Sequence, residues 1–280
     1  MPEPIALEVR DGVAFATIDS PPLNLLDAAV LGALAAVTAE VSANEDTRVL
    51  VLQSANPDFF LAHGDVTTMV DMPSVADPQR SEELSWVHAT LDALRTMPRV
   101  TIAKIAGFAR GGGSEVALAC DMRFAALDRA VFGQPEIGLG ILPGAGGTAR
   151  LTRLVGRARA SEIIFGGDDF SAAEAERVGW VNRALPADEL GPYVDALARR
   201  IARFPISAIA EIKRVMGAVE AQTPEDLKTE QYAFDRCMTS PEPRTRMRRW
   251  VDRGTQTIEG EKTLGAKLAE LADPDAGADA

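Results

Sequence analysis

The sequence predicts an α/β fold followed by a helical C-terminal region. Three observations carry this. Apolar strand-like runs alternate with helically spaced segments as far as about residue 185. Beyond Pro186 nearly every segment has helical spacing. A chain of 280 residues, 46% hydrophobic and 25% charged, can also bury a full core without disulfides or metals. Alternating β and α segments with helical crossovers are the pattern of sheets covered by helices.

Taken in order, Ile5 to Arg10 and Val13 to Asp19 alternate around Asp11-Gly12, a hairpin-turn pair. Pro21-Pro22 ends the second strand. Asp27 can cap a helix from Ala28 to Val41. Arg48 to Gln53 reads as a buried strand, Asn56 to Asp65 as a loop, and Ser81 to Met97 as a helix that stops before Pro98. A second round follows: strand Val100 to Ala106, a Gly-rich loop from Gly107 through Gly113, helix Ser114 to Cys120, and short strands Met122 to Ala126 and Ala130 to Phe132. Gln134 to Gly147 reads as a Gly/Pro loop that returns to helix at Thr148. Ser171 can cap a helix to Val178, and Trp180 to Leu185 reads as a strand. The rest is predicted as helices Ala187–Arg203, Ile206–Ala218, Glu225–Met238 and Glu242–Arg253, with an Asp/Ala/Gly-rich disordered tail from about Ala272.

Composition narrows the function. A formal charge of −12 (29 Lys+Arg against 41 Asp+Glu) argues against nucleic acid as a general partner. No run of about 18 apolar residues predicts a membrane span. Met-Pro-Glu-Pro is not the start of a signal peptide, so a cytoplasmic protein is expected. Two cysteines, Cys120 and Cys237, and two histidines predict neither a disulfide framework nor a metal site.

Three glycine-bearing segments stand out: Phe60 to Asp65, Gly111-Gly112-Gly113-Ser114-Glu115, and Pro143-Gly144-Ala145-Gly146-Gly147. Glycines between a strand and a helix let backbone N–H groups approach a ligand, and the helix N-terminus favours negative charge there. No Gly-Lys-Ser/Thr follows, so a P-loop is excluded. Gly144-x-Gly146-x-x-Ala149 matches a loose dinucleotide fingerprint but lacks its βαβ context. Glu115 and Glu136 lie beside these loops. Glu115 alone could be a first-turn helix residue, and Glu136 alone a solvated loop charge. Together, two carboxylates around an oxyanion site are the equipment for moving a proton beside an activated carbonyl.

These same residues resemble the crotonase (enoyl-CoA hydratase/isomerase) superfamily. The matching stretches are Pro22 to Leu26, Phe60 to Asp65, Ala106 to Asp121, Phe132 to Glu136 running on through Leu142 to Gly147, and Ser171 to Asn182. They occur in order over residues 5–190. The resemblance implies a crotonase-like spiral of ββα units over residues 1–200, a helical trimerisation region over 201–270, and a tail over 271–280. It implies an acyl-CoA thioester as substrate, no further cofactor, and a homotrimer or dimer of trimers. By position, the N–H groups of Gly64 and Gly112 would form the oxyanion hole. Glu115 and Glu136 would hold and activate a water that adds to C3 of a 2-enoyl thioester, with Glu136 supplying the proton to C2. Ala62, Val66, Gly111 and Pro135 would contact CoA or substrate, the adenine lying near Ala62 and Val66.

The sequence departs from the pattern in three places. His63 replaces the glycine usual before the oxyanion residue and reads as a packing feature of the loop. Thr67 stands where many relatives place a lysine for CoA phosphate. The familiar C-terminal motifs are replaced by Thr239 to Glu242 and an arginine-rich run, Arg244 to Arg249, which reads as a solvated helix face. Alternative readings are an enoyl-CoA isomerase that needs only Glu136, another thioester reaction on the same oxyanion hole, and a catalytically silent binding module.

Overall fold

The computed structural model describes residues 3–73, 76–220 and 224–272. The hairpin forms as predicted: β1 (Ile5–Arg10) and β2 (Val13–Ile18) pair antiparallel, with Arg10 opposite Val13 across Asp11-Gly12. The Asp27 side chain accepts from the Val30 N–H and starts α1 (Ala28–Ala43). Then come β3 (Val49–Ser54), β4 (Phe59–Leu61), the short α2 (Val66–Val70) and α3 (Trp86–Thr96). The next round is β5 (Val100–Ile105), β6 (Phe108–Arg110), α4 (Gly112–Ala119), β7 (Met122–Ala126) and β8 (Val131–Gly133). A 3-10 turn, Pro135–Leu139, leads to α5 (Gly147–Gly166), β9 (Phe170–Ser171), α6 (Ala172–Val178) and β10 (Arg183–Leu185). Five helices close the chain: α7 (Ala187–Ile201), α8 (Ile206–Glu220), α9 (Pro224–Cys237), α10 (Glu242–Asp252) and α11 (Ile258–Ala272).

Each successive turn of chain gives one strand to each of two sheets. The larger has the order β1-β2-β3-β5-β7-β10 and the smaller β4-β6-β8-β9. Pairing is parallel except at the two antiparallel edges, β1 with β2 and β8 with β9. This is the α/β spiral the sequence implies. Parallel strands buried on both faces need apolar residues throughout, which β3 supplies with Val49, Leu50, Val51 and Leu52. One face of the large sheet packs with α1, α3, α4 and the small sheet. The other carries α7, whose Leu190, Val194 and Ala198 meet Phe15, Val51 and Ile102.

Several boundaries differ from the sequence reading. The segments 56–65 and 107–113 are not wholly loop, because β4 and β6 pair through Phe59 and Phe108 in the smaller sheet. The helix expected from Ser81 starts at Trp86: Ser81 turns back on the Glu83 N–H, and Ser85 is the cap. The loop 134–147 contains the 3-10 turn. Only Arg183–Leu185 of the strand expected from Trp180 is extended. Gly179 ends α6 in the left-handed region, and the N–H groups of Trp180 and Val181 both return to the Ala175 carbonyl, sinking Trp180 into the core. Helix α11 lies almost wholly in the 201–270 region expected to be helical, but no helix with its bounds was predicted. The tail expected to be disordered lies, over 273–280, outside the described residues. Among the described residues no helix is long and apolar enough to cross a membrane.

One close approach positions the site. A Cβ on Gly113 would lie 2.0 Å from the Leu61 carbonyl oxygen, so only glycine lets α4 start against β4. Gly113→Ala should therefore destabilise the fold by about 1–3 kcal/mol or more. Gly32→Ala, inside α1 with open space around the new methyl, should instead stabilise it by up to about 1 kcal/mol. Urea unfolding of both variants checks the opposite signs.

Candidate active site

The start of α4 brings two backbone donors together. A Cβ built on Gly112 would sit 3.1 Å from the Gly64 nitrogen. Gly112 is the first residue of α4, so its N–H has no acceptor within the helix. The bridge between Leu26 and Gly64 uses the N–H groups of Leu26 and Asp65 and leaves the Gly64 N–H out. Both glycines line a cavity of about 470 Å³, together with Glu115 and Glu136. The four residues predicted to do the chemistry thus share one cavity. Its remaining wall is largely apolar: Leu26 and Leu31 from the α1 side, Val87 from α3, Leu142 from the loop before α5, and Phe234 from α9.

The two carboxylates are held differently. Glu115 is buried, and its Oε1 accepts from the N–H groups of Ala145 and Gly147, both at 2.7 Å. Gly147 has to be glycine, since a Cβ there would lie 2.7 Å from that same oxygen. Burial, reinforced by the charge of Glu230, outweighs the two amides and pushes the Glu115 carboxyl up to about 7. Glu136 sits on the 3-10 turn with a buried Oε2 that has no hydrogen-bond partner. Burial and the neighbouring Glu115 charge push it well above the usual carboxylate range. Two carboxyls that resist joint ionisation give one acid and one base at neutral pH.

The other predicted contact residues lie around this cavity rather than on its wall. Ala62 is fully buried; its N–H donates to the Leu23 and Asn24 carbonyls, and its carbonyl accepts from the Arg110 N–H. Val66 and Pro135 line a small adjoining void with His63 and Glu136. Gly111, at φ 44°, faces Glu136 Oε1, which would be 2.6 Å from its Cβ. Thr67 hydrogen-bonds to Asp65. Of the arginine run, Arg244 is tied to the Met238 and Met72 carbonyls and Arg246 to Glu242, while Arg248 is exposed. Among the described residues no cluster of His, Cys, Asp and Glu could hold a metal ion.

Sequence reasoning missed two buried glutamates of the C-terminal helices. Glu230 on α9 accepts from the N–H groups of Gly146 and Ala149 and meets His88 Nε2 at 3.2 Å. Glu261 on α11 meets His63 Nε2 at 2.9 Å. The available signal was register. Glu230 continues the inward-facing stripe of buried Leu227 and half-buried Phe234, and Glu261 the buried stripe Glu261, Leu264, Leu268, Leu271.

The raised Glu115 carboxyl has a consequence for stability. The folded chain binds that proton more tightly than the unfolded one, so stability falls as pH rises from about 4.5 through about 7. The shift corresponds to about 3 kcal/mol once Glu115 is ionised. Relative to the parent chain, Glu115→Gln should gain stability between about pH 5 and pH 8 by an amount of that order. Urea unfolding at the two pH values would show it, and a difference independent of pH would contradict the raised carboxyl.

Comparison with known proteins agrees with this geometry. The family model for enoyl-CoA hydratase/isomerase matches residues 8–261. A short-chain-enoyl-CoA hydratase of Clostridium acetobutylicum is 32% identical over 260 residues, covering 92% of this chain and 97% of its own. A crotonyl-CoA hydratase of Syntrophomonas wolfei is 36% identical over 200 residues, covering 71% and 75%. A crystal structure from Streptomyces avermitilis, assigned provisionally to the enoyl-CoA hydratases, superimposes with a TM-score of 0.86 at 37% identity, covering 96% of this chain and 98% of that one. With an ordered spiral of strands, a paired-amide cleft and a match spanning most of its length, the chain belongs to the enoyl-CoA hydratase/isomerase family.

Proposed function

We propose that this cavity reversibly hydrates a 2-enoyl-CoA thioester, with Glu115 and Glu136 as the acid/base pair and the Gly64 and Gly112 amides as the oxyanion hole. The observation that carries the reading is the pair of pKa-raised carboxyls facing one cavity with two free amide donors. The thioester oxygen sits between the two N–H groups, which stabilise the enolate better than the ground-state carbonyl. A water held by both glutamates attacks C3. Glu115, anchored through Oε1, takes a proton from it, and protonated Glu136 gives one to C2. Hydroxyl and hydrogen are added across the double bond, and a proton shift between the two glutamates restores the starting state. The reactants are water and the acyl-CoA, with no further cofactor. The adenosine end would run past Ala62 and Val66, with Gly111 and Pro135 flanking the acyl group. The apolar wall from Leu31 to Phe234 would take the acyl chain.

Assembly as a homotrimer or dimer of trimers, with residues 201–270 as the assembly region, belongs to the same proposal. It is supported by apolar side chains that α8 leaves in water: Ile212 is 59% exposed, Met216 63% and Val219 80%. Sedimentation should give a mass of three or six chains, and Val219→Glu should lower it. A monomer at all concentrations would remove this part of the reading.

Crotonyl-CoA, followed by loss of its enoyl-thioester absorbance, tests the chemistry. Glu115→Gln and Glu136→Gln should each lower kcat by about 10²-fold or more. Activity on a 3-enoyl thioester that survives Glu115→Gln and not Glu136→Gln would replace hydration by isomerisation. Binding of CoA esters without any turnover would favour the silent module.

A further inference from the structure

The chain has two histidines, and neither has a part in the chemistry above. His63 is the informative one because it immediately precedes Gly64. Its ring is buried, with Nδ1 2.6 Å from the Gly64 carbonyl oxygen and Nε2 2.9 Å from Glu261 Oε1. Trp250 of α10 covers it, ring centroid to ring centroid 5.7 Å. The Glu261 partner is itself fixed. Its carbonyl accepts from Arg110 Nη1 at 2.7 Å, and Arg110 in turn forms two bonds to Asp169, at 2.6 and 2.7 Å.

We propose that His63 is a positioning residue: clamped by Glu261 of α11, its protonated ring holds the Gly64 carbonyl, so that Gly64, whose N–H lies in the preceding peptide tied through the His63 carbonyl to the Leu26 N–H, is fixed from both sides. The inference rests on the reading of Gly64 as an oxyanion donor. Its physical basis is a count of donors. A carbonyl oxygen and a carboxylate oxygen are both acceptors, and only an imidazolium donates to both. A neutral ring would turn a lone pair toward one or the other, either freeing the Gly64–Asp65 peptide or breaking the tie to α11. The charged and titratable groups facing the ring are Glu261, Arg110 beyond it at 3.6 Å from Glu261 Oε2, Asp169 behind Arg110, the Glu136 carboxyl across the adjoining void, and Asp65 in the next residue but one. Burial alone would lower the ring's pKa. The charge and hydrogen bond of Glu261, with the Gly64 carbonyl, outweigh that and the opposing Arg110 and raise it above 6.5. The stability this pair contributes is therefore complete below about pH 6.5 and is lost as pH rises through the raised value.

Histidine-13C NMR of the full chain reads the ring directly, since only two signals exist and His63→Gln assigns one by removing it. The titration midpoint of His63 should lie above 6.5 in the parent chain and fall in Glu261→Gln. With crotonyl-CoA, His63→Gln and Glu261→Gln should each lower kcat about 10-fold while KM changes little, as expected when only the support of a reacting group is lost. Glu261→Asp should recover part of that kcat, and the alkaline limb of the parent's kcat–pH profile should move to lower pH in Glu261→Gln. Parent-like kcat and pH profile in folded Glu261→Gln, with Glu115→Gln inactive, would overturn the positioning role and leave the hydratase reading standing. An inactive parent chain would overturn both. A fall in thermal stability with unchanged kcat in both variants would make the pair structural only, which also overturns it.

Discussion

The site depends on a backbone contact that no side chain could tolerate: the start of α4 against the end of β4. Gly113 lies so close to the Leu61 carbonyl that a methyl there would overlap it, and Gly112 lies beside the Gly64 nitrogen. From this contact the rest follows. It puts two unused amides side by side. It also starts α4 at a point from which Glu115, one turn in, reaches the loop before α5 rather than solvent. A glycine triplet is poor helix-forming sequence, so the strands on either side must supply the stability that it lacks. The parallel ladder of β4, β6 and β8, with Arg110 buried beneath it, does so.

Burying carboxylates is costly unless donors meet them, and here one loop supplies donors to two. Helix α5 begins at Gly147 with Gly146 as its cap and no capping side chain, so its first amides need outside partners. The Ala145 and Gly147 amides turn to Glu115, while those of Gly146 and Ala149 turn to Glu230. The loop is thus sandwiched between a glutamate that faces the cavity and one that comes from α9. Glu230 acts as a structural cap from another helix. Glu115 is a cap that also faces the cavity, and burial with the nearby Glu230 charge raises its carboxyl to about 7 against the pull of its two amide donors. Glu136 has no such amide donors for its Oε2, and it is the carboxyl best placed to keep its proton.

Much of this was legible in the sequence because it is local. Asp11-Gly12, the Asp27 cap and the Ser171 cap each fix a turn or helix start through bonds within a few residues, and all three formed where expected. The Gly-rich segments and the two glutamates were legible as a constellation because their residue types carry a chemical meaning. Strands β4 and β6 were not. Each is three residues long and forms through pairing with strands remote in the chain, β4 with β6 about fifty residues away, and no local pattern encodes that. Glu230 and Glu261 were hidden for a related reason. A glutamate in a helix reads as solvated unless its place in the apolar stripe is counted, and the partner that makes burial affordable is remote.

That remoteness changes what the C-terminal helices are. If α9 to α11 only packed against a finished spiral, their contacts with it would be apolar, as in the cluster of Leu139, Ile141, Met247, Trp250 and Leu268. Instead each end of the cavity reaches a C-terminal carboxylate through a histidine: His63 beside the cavity-lining Gly64 to Glu261, and His88 on α3, next to the cavity-lining Val87, to Glu230. Phe234 of α9 then forms part of the cavity's apolar wall itself. Without those helices the spiral would keep Glu115 and the paired glycines. It would lose the acceptors for the Gly146 and Ala149 amides and leave two buried imidazoles short of a partner. The reactive geometry is therefore a joint property of the Gly-rich loops and the helices that follow them.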